Sequence, residues 1–242
     1  MKRTLLAFSL AMATLTGASA SAATICAPIN CVKTIRDGIA DDGVTHETPD
    51  GLGDDVGFHN SPLPPTGFAL GENRVSSYVF ELPALNGATL LNATLDGYLT
   101  ENDAEGFNLD VVILKTDTDF HPAPADYEAS IALLNGSQVA ADDWATPATA
   151  AGTSLATVSG GNLLTYLQNH YIDGGYIHLM LVPDSLATNA AGQLRGHYTV
   201  PSPFALTNQL SLCLEVGSVP EPTSLLTALS GVAMLTGRRR RR

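Results

Sequence analysis

The chain has 242 residues, with 24 acidic side chains against 12 basic ones, a formal net charge of −12, three cysteines and 6% aromatic residues. This length suits one sizeable core once targeting segments are set aside. The acidic balance argues against nucleic acid and anionic lipid surfaces as partners. Seven of the basic residues and one of the acidic ones sit in the two terminal segments, leaving five against 23 and a charge near −18 between them.

The first 22 residues, MKRTLLAFSLAMATLTGASASA, have a basic start at Lys2 and Arg3, an apolar stretch from Leu5 to Leu15, and small residues at Ala18, Ala20 and Ala22. That is the layout of a cleavable secretory signal peptide, with cleavage expected after Ala20 or Ala22. Thr24 and Ile25 before Cys26 are not the small pair that lipid attachment wants. An exported chain allows disulfides. Cys26 and Cys31, in CAPINC, are close enough to close a small loop, and this pair is the favoured bridge. A bond from the N-terminal segment to Cys213 in LSLCLEV is the alternative, and one thiol is left over either way.

Residues 23–216 form the expected domain, opening with an acidic segment. In DDGVTHETPDGLGDD, the carboxylates Asp41, Asp42, Asp50, Asp54 and Asp55 stand among glycines, the composition of a loop able to wrap calcium, which takes six to eight oxygen ligands. No D-x-D-x-D-G loop is present, so a solvated acidic loop is the plainer expectation. Beyond it the chain is turn-rich, with Gly, Asn, Asp and Pro between short apolar runs. The predicted strands are CVKTIRDGI, RVSSYVFEL, TLLNATLDGYL, LDVVILKT, GYIHLMLV and LSLCLEV. Partial alternation in Val75 to Leu82 and Leu91 to Leu99 predicts strands with one face in the core, and the continuous apolarity of GYIHLMLV predicts a central strand. YEASIALLNG and GNLLTYLQNHY have helical spacing and are expected to cover or connect the sheets. The fold class expected is all-β: an antiparallel two-sheet jelly-roll-like sandwich with one or two short helices.

Tyr78 to Leu99, YVFELPALNGATLLNATLDGYL, resembles the opening of the DNRLRE-like, carbohydrate-binding-module-like sandwiches of secreted surface proteins. The likeness lies in a strand ending F-acidic-L-P, then G-A-T, then A-T-L in the next strand. It implies a β-sandwich and contact with sugar. Trp144, the sole tryptophan, flanked by Asp142 and Asp143, is the candidate for stacking on a sugar ring while the carboxylates accept hydroxyl hydrogen bonds. The ordinary alternative is an aromatic that anchors its loop to the core. The six histidines form no HxxxH or HxH pair, and no G-x-S-x-G elbow occurs, so neither metal catalysis nor a serine nucleophile is expected. A glycosidase needs two carboxylates at a set separation, and no such pair stands out. The chain is therefore expected not to be an enzyme.

The final segment, residues 217–242, has three parts: Val219, Pro220, Glu221 and Pro222; an uncharged run from Thr223 to Gly237; and Arg238, Arg239, Arg240, Arg241 and Arg242. As a helix the run would span roughly 22 Å, short of a hydrocarbon core of about 30 Å. Its arginines would stay cytoplasmic. This arrangement resembles the PEP-CTERM sorting signal. The resemblance implies transient membrane association through the helix, removal of the tail by an exosortase-type membrane protease, and delivery to the outer surface or extracellular matrix of an exopolysaccharide-producing Gram-negative bacterium. A plain tail anchor is the alternative. The function expected is that of a non-catalytic surface or matrix protein in contact with exopolysaccharide; a secreted glycan hydrolase and a purely structural matrix protein are the other two readings.

Overall fold

The structure, a computed structural model, describes residues 22–37, 45–47, 55–62, 69–185, 197–200 and 210–217. Residues 1–21 of the expected signal peptide, the sorting motif at Val219 to Pro222, the arginine cluster and the acidic residues Asp41, Asp42, Asp50 and Asp54 lie outside them. Asp55 opens a strand, but its side chain is not among those described. All described residues fall in one compact unit, Ala22–Ser218.

The chain is mostly β. In order, the strands are β1 (Ala23–Ala27), β2 (Ile29–Asp37), β3 (Thr45–Glu47), β4 (Asp55–Pro62), β5 (Ala69–Glu81), β6 (Leu90–Asp96), β7 (Tyr98–Leu99), β8 (Glu101–Asn102) and β9 (Leu109–Asp117). After helix α1 (Asp126–Ala132) come β10 (Val139–Ala145), β11 (Thr153–Ser154) and β12 (Val158–Ser159). Helix α2 (Gly161–His170) is followed by β13 (Tyr176–Pro183), β14 (His197–Thr199) and β15 (Ser211–Val216). Each run predicted as a strand is at least partly one, and both predicted helices are present. No helix among the described residues is long and apolar enough to cross a membrane.

Every pairing described is antiparallel. One sheet has the order β1-β15-β6-β12; the larger runs β10-β9-β13-β5-β4-β14-β8, with β2 and β3 joined to it through β5. The inward residues of the smaller sheet, among them Leu90, Ala93 and Leu95 of β6 and Leu212 and Leu214 of β15, share one hydrophobic cluster with Tyr78, Phe80, Val111, Ile113, Ile177 and Leu179 of the larger. In β15 the alternation of buried and half-buried positions follows the two-residue side-chain period of a strand. Each fully buried leucine contributes roughly 1.5–3 kcal/mol.

The larger sheet is buried on both sides, so β5 departs from the one-faced strand expected of it. Its other face carries Val75, Val112, Met180 and Val182, packed with Tyr127 of α1. Ser76 and Ser77, neighbours whose side chains point to opposite faces of β5, are both fully buried. The same double burial explains why β13 is apolar along almost its whole length, and it lies between β9 and β5 as a central strand should. Asp126 and Glu128 in the first turn of α1 complement its helix dipole. Helix α2 starts after Gly160, whose φ of 66° lies in the left-handed region. It sends Leu163 and Leu167 into the shared core and touches β6 of one sheet and β9 and β10 of the other.

The bridge favoured from the sequence, Cys26 with Cys31, is not the one formed. Cys26 is bonded to Cys213, with Cα atoms 3.9 Å apart, and Cys31 is a free thiol. The antiparallel register of β1 on β15 sets Cys26 directly opposite Cys213. Cys31 instead lies on β2, paired with Val79 of the other sheet, so the short separation in sequence is a separation between sheets. Partial burial raises the Cys31 thiol pKa, which disfavours the nucleophilic thiolate.

Candidate functional site

The acidic residues around Trp144 gather where β10 departs from regular pairing with β9. Ala141 faces Val111 and Ala145 faces Leu109, so Asp142, Asp143 and Trp144 together stand against the single residue Asp110. A bulge of this kind bends the strand and re-aims its side chains. Asp143 takes a left-handed φ of 53°. Its N–H donates to Asp110 Oδ1 at 2.8 Å, and its own Oδ1 accepts from Asn108 Nδ2 at 2.7 Å. Asn108 N also donates to Asp184 Oδ1 at 3.0 Å, drawing a fourth carboxylate to the same end of the sheet.

Asp110 is buried while Asp142 and Asp143 are exposed, and one carboxylate oxygen from each lies within 4.8 Å of the others. Burial first, and then the charges of Asp142, Asp184 and Asp143, push the Asp110 pKa up to about 6; the Asp143 N–H works against the rise. The trio offers three oxygen ligands for a hard cation, about half of what calcium takes. A buried carboxyl whose pKa is pushed up to about 6, beside two exposed carboxylates, also has the makings of an acid paired with a base.

Trp144 itself does not belong to this surface. Its side chain is only 6% exposed and lies in the shared core, with Nε1 donating to Ala156 O at 2.7 Å. The structure thus separates the three residues proposed for sugar contact: Asp142 and Asp143 point out beside Asp110, and Trp144 points in. The loop-anchoring alternative describes the indole. Asp110 ends the acidic stretch ENDAEGFNLD, weighed like the first for calcium. Its grouping with Asp142 and Asp143 is not legible in the sequence, because it lies more than thirty residues from Asp142 at the start of an apolar run that reads as plain strand.

A second group of titratable residues surrounds His178 on β13. The imidazole is fully buried, with Nε2 at 2.9 Å from Asp119 O, and Nδ1 finds no hydrogen-bond partner among the described residues. Desolvation lowers its pKa, with Lys115 adding to the fall and Asp126 and Asp117 opposing it. Lys115 Nζ lies 3.4 Å from Asp126 Oδ1, and His121 Nδ1 lies 2.7 Å from Asp119 Oδ1. His178 is thus buried within β13 together with its apolar strand neighbours. Nearby on α2 and just after it, Tyr171 is held by its hydroxyl on Pro83 O at 2.8 Å, whereas half-buried Tyr166 has its ring 4.5 Å from that of His170.

No protein-family model matches the chain, and no curated protein matches it significantly.

Proposed function

We propose that this chain is an exported, non-catalytic protein of the cell surface or extracellular matrix, its folded part a jelly-roll-like sandwich and its C-terminus a PEP-CTERM-type sorting tail. The observation that carries the reading is the pairing of a signal-like start with the run from Val219 through the arginine cluster. The Cys26–Cys213 disulfide suits an oxidising compartment. In the register of β1 on β15, Ala23 faces Val216, a pairing that suits a folded part whose two flanking segments are both removed.

Mass spectrometry of the protein recovered outside the cell tests this. The expected product begins at Ser21 or Ala23 and ends near Val219 to Pro222, and it fails to appear in a strain lacking the exosortase-type protease. An intact chain retained in the cytoplasm overturns the reading.

The raised pKa of Asp110 favours a second reading, a glycan hydrolase in which Asp110 protonates a leaving oxygen and Asp142 or Asp143 is the partner carboxylate. Release of reducing sugar that Asp110→Asn abolishes would establish it. Binding of a polymer without turnover would rule it out.

A further inference from the structure

Helix α2 presents Asn162, Thr165, Tyr166, Asn169 and His170 along one face, beside the stripe of Leu163 and Leu167 that enters the core. With Ser137 and Gln138 ahead of β10, this face walls an open cleft of about 210 Å³. In a chain this acidic, a lining without a single carboxylate, lysine or arginine is itself informative.

Four polar side chains of the lining are held by backbone carbonyls. Gln138 Nε2 donates to Ile113 O at 2.6 Å, Asn162 Nδ2 to Val139 O at 2.8 Å, and Asn169 Nδ2 to Thr165 O at 2.8 Å. Thr165 Oγ1 donates to Gly161 O at 2.9 Å. Each of these side chains spends a donor on the backbone, which fixes its orientation and leaves its oxygen free to accept from a ligand, while the amides of Asn162 and Asn169 each keep a second N–H. Tyr166 adds an aromatic surface, tilted 34° to the His170 ring.

A ligand for such a cleft brings hydrogen-bond donors, a weakly polar face and no negative charge. Phosphate, sulfate and uronate groups bring negative charge to a lining that has no lysine or arginine, in a chain whose net charge is already −12. A metal ion would find no carboxylate in the lining. A neutral sugar ring carries hydroxyl donors on its rim and a C–H face that packs on a tyrosine. The cleft is smaller than the roughly 300–1,000 Å³ of sites for drug-sized ligands, so it holds a short piece of a longer polymer.

We propose that the α2 cleft binds a short segment of a neutral polysaccharide, with Tyr166 under the sugar ring and Gln138, Asn162, Thr165 and Asn169 accepting its hydroxyls. This supplies the exopolysaccharide contact of the matrix reading with a site, and rests on that reading only for the source of the polymer.

Affinity electrophoresis of the purified chain tests it, in gels containing dextran, laminarin, galactomannan, the neutral fraction of the producing organism's exopolysaccharide, or alginate as the acidic comparison. The expected result is retardation in at least one neutral gel and none in alginate. Tyr166→Leu, which keeps apolar packing and removes the ring, weakens that retardation about tenfold or more. Asn169→Ala, at an exposed position of the helix, removes one acceptor and weakens it as well. Unretarded migration in every neutral gel overturns the proposal, as does retardation that both variants leave intact or that occurs in alginate alone. Failure of the export reading would show in the processing experiment and leave this result untouched.

Discussion

The backbone N–H of Asp143 donates to the carboxylate of Asp110 at 2.8 Å, which ties a left-handed residue in a bulge to a buried acid in the neighbouring strand. The bond favours the ionised form of Asp110, yet burial and three nearby carboxylates outweigh it, and the pKa stands at about 6 against an ordinary 3.8. Because the folded value lies above the unfolded one, the folded chain holds this proton more tightly between those two values. Asp110 therefore costs nothing below about pH 4 and its full penalty above about pH 6. Asp110→Asn should raise stability at neutral pH by on the order of 1–3 kcal/mol and change little near pH 4. Urea melts of both proteins at the two pH values check this.

His178 tilts the curve the other way. Its folded pKa is lowered from the usual 6.5, so the unfolded chain takes up its proton first as pH falls. The stability linked to this group is complete above about pH 6.5 and is lost below it. Protonation would place a charge on a fully buried ring whose Nδ1 has no partner among the described residues, with Lys115 near enough to repel it. His178→Gln should flatten the fall in melting temperature between about pH 7 and pH 5, and Asp110→Asn should steepen it, because the two slopes oppose each other in the wild type.

Residues whose partners are near in sequence, or whose burial shows as a continuous apolar run, were legible before the structure. GYIHLMLV reads as a central strand because both its faces are covered, and Leu163, Leu164 and Leu167 read as a helix because their spacing is local. VAADDWA did not read as a strand, since the bulge there frees its acidic residues from the alternation that a regular strand imposes. The disulfide and the Asp110 cluster both depend on which strand lies beside which. That information is not local, and a short separation such as Cys26 to Cys31 then points to the wrong sheet. The double burial of β5 escaped notice for a related reason: Ser76 and Ser77 are polar residues set in an interior that only α1 and the second sheet together create.

The Cys26–Cys213 bond joins residues 187 positions apart and closes almost the whole domain into a loop. In the chain-entropy view a closure of this length restricts the unfolded state by up to about 5 kcal/mol, although measured losses on removing native disulfides are commonly about 2–5 kcal/mol. Cys213→Ser, or reduction of the wild type, should lower stability within that range, while Cys31→Ser should leave the bridge in place. Titration of the unfolded, unreduced wild type should find one thiol per chain, at Cys31. Peptide mapping under non-reducing conditions would show the Cys26–Cys213 link directly, and a Cys26–Cys31 peptide would contradict the register of β1 on β15.

Gly97 and Trp144 are bound by a steric condition that neither residue shows alone. A Cβ on residue 97 would lie 2.2 Å from Trp144 Cη2 and 2.7 Å from Cζ2, with Leu210 Cδ1 closing the third side at 3.2 Å. The indole cannot withdraw without breaking its hydrogen bond to Ala156 O and opening space in the core. Gly97→Ala should therefore destabilise by about 1–3 kcal/mol through overpacking. Trp144→Phe removes the two atoms that a Cβ would strike, at the cost of a cavity and an unpaired carbonyl. In that background Gly97→Ala should cost much less, giving a coupling of about 1 kcal/mol or more in a double-mutant cycle. Since the ring is a core element and not a sugar platform, Trp144→Phe should leave retardation by a neutral polysaccharide unchanged wherever the variant is folded. Selective loss of retardation in a fully folded Trp144→Phe protein would return the tryptophan to the binding surface and take the site away from α2.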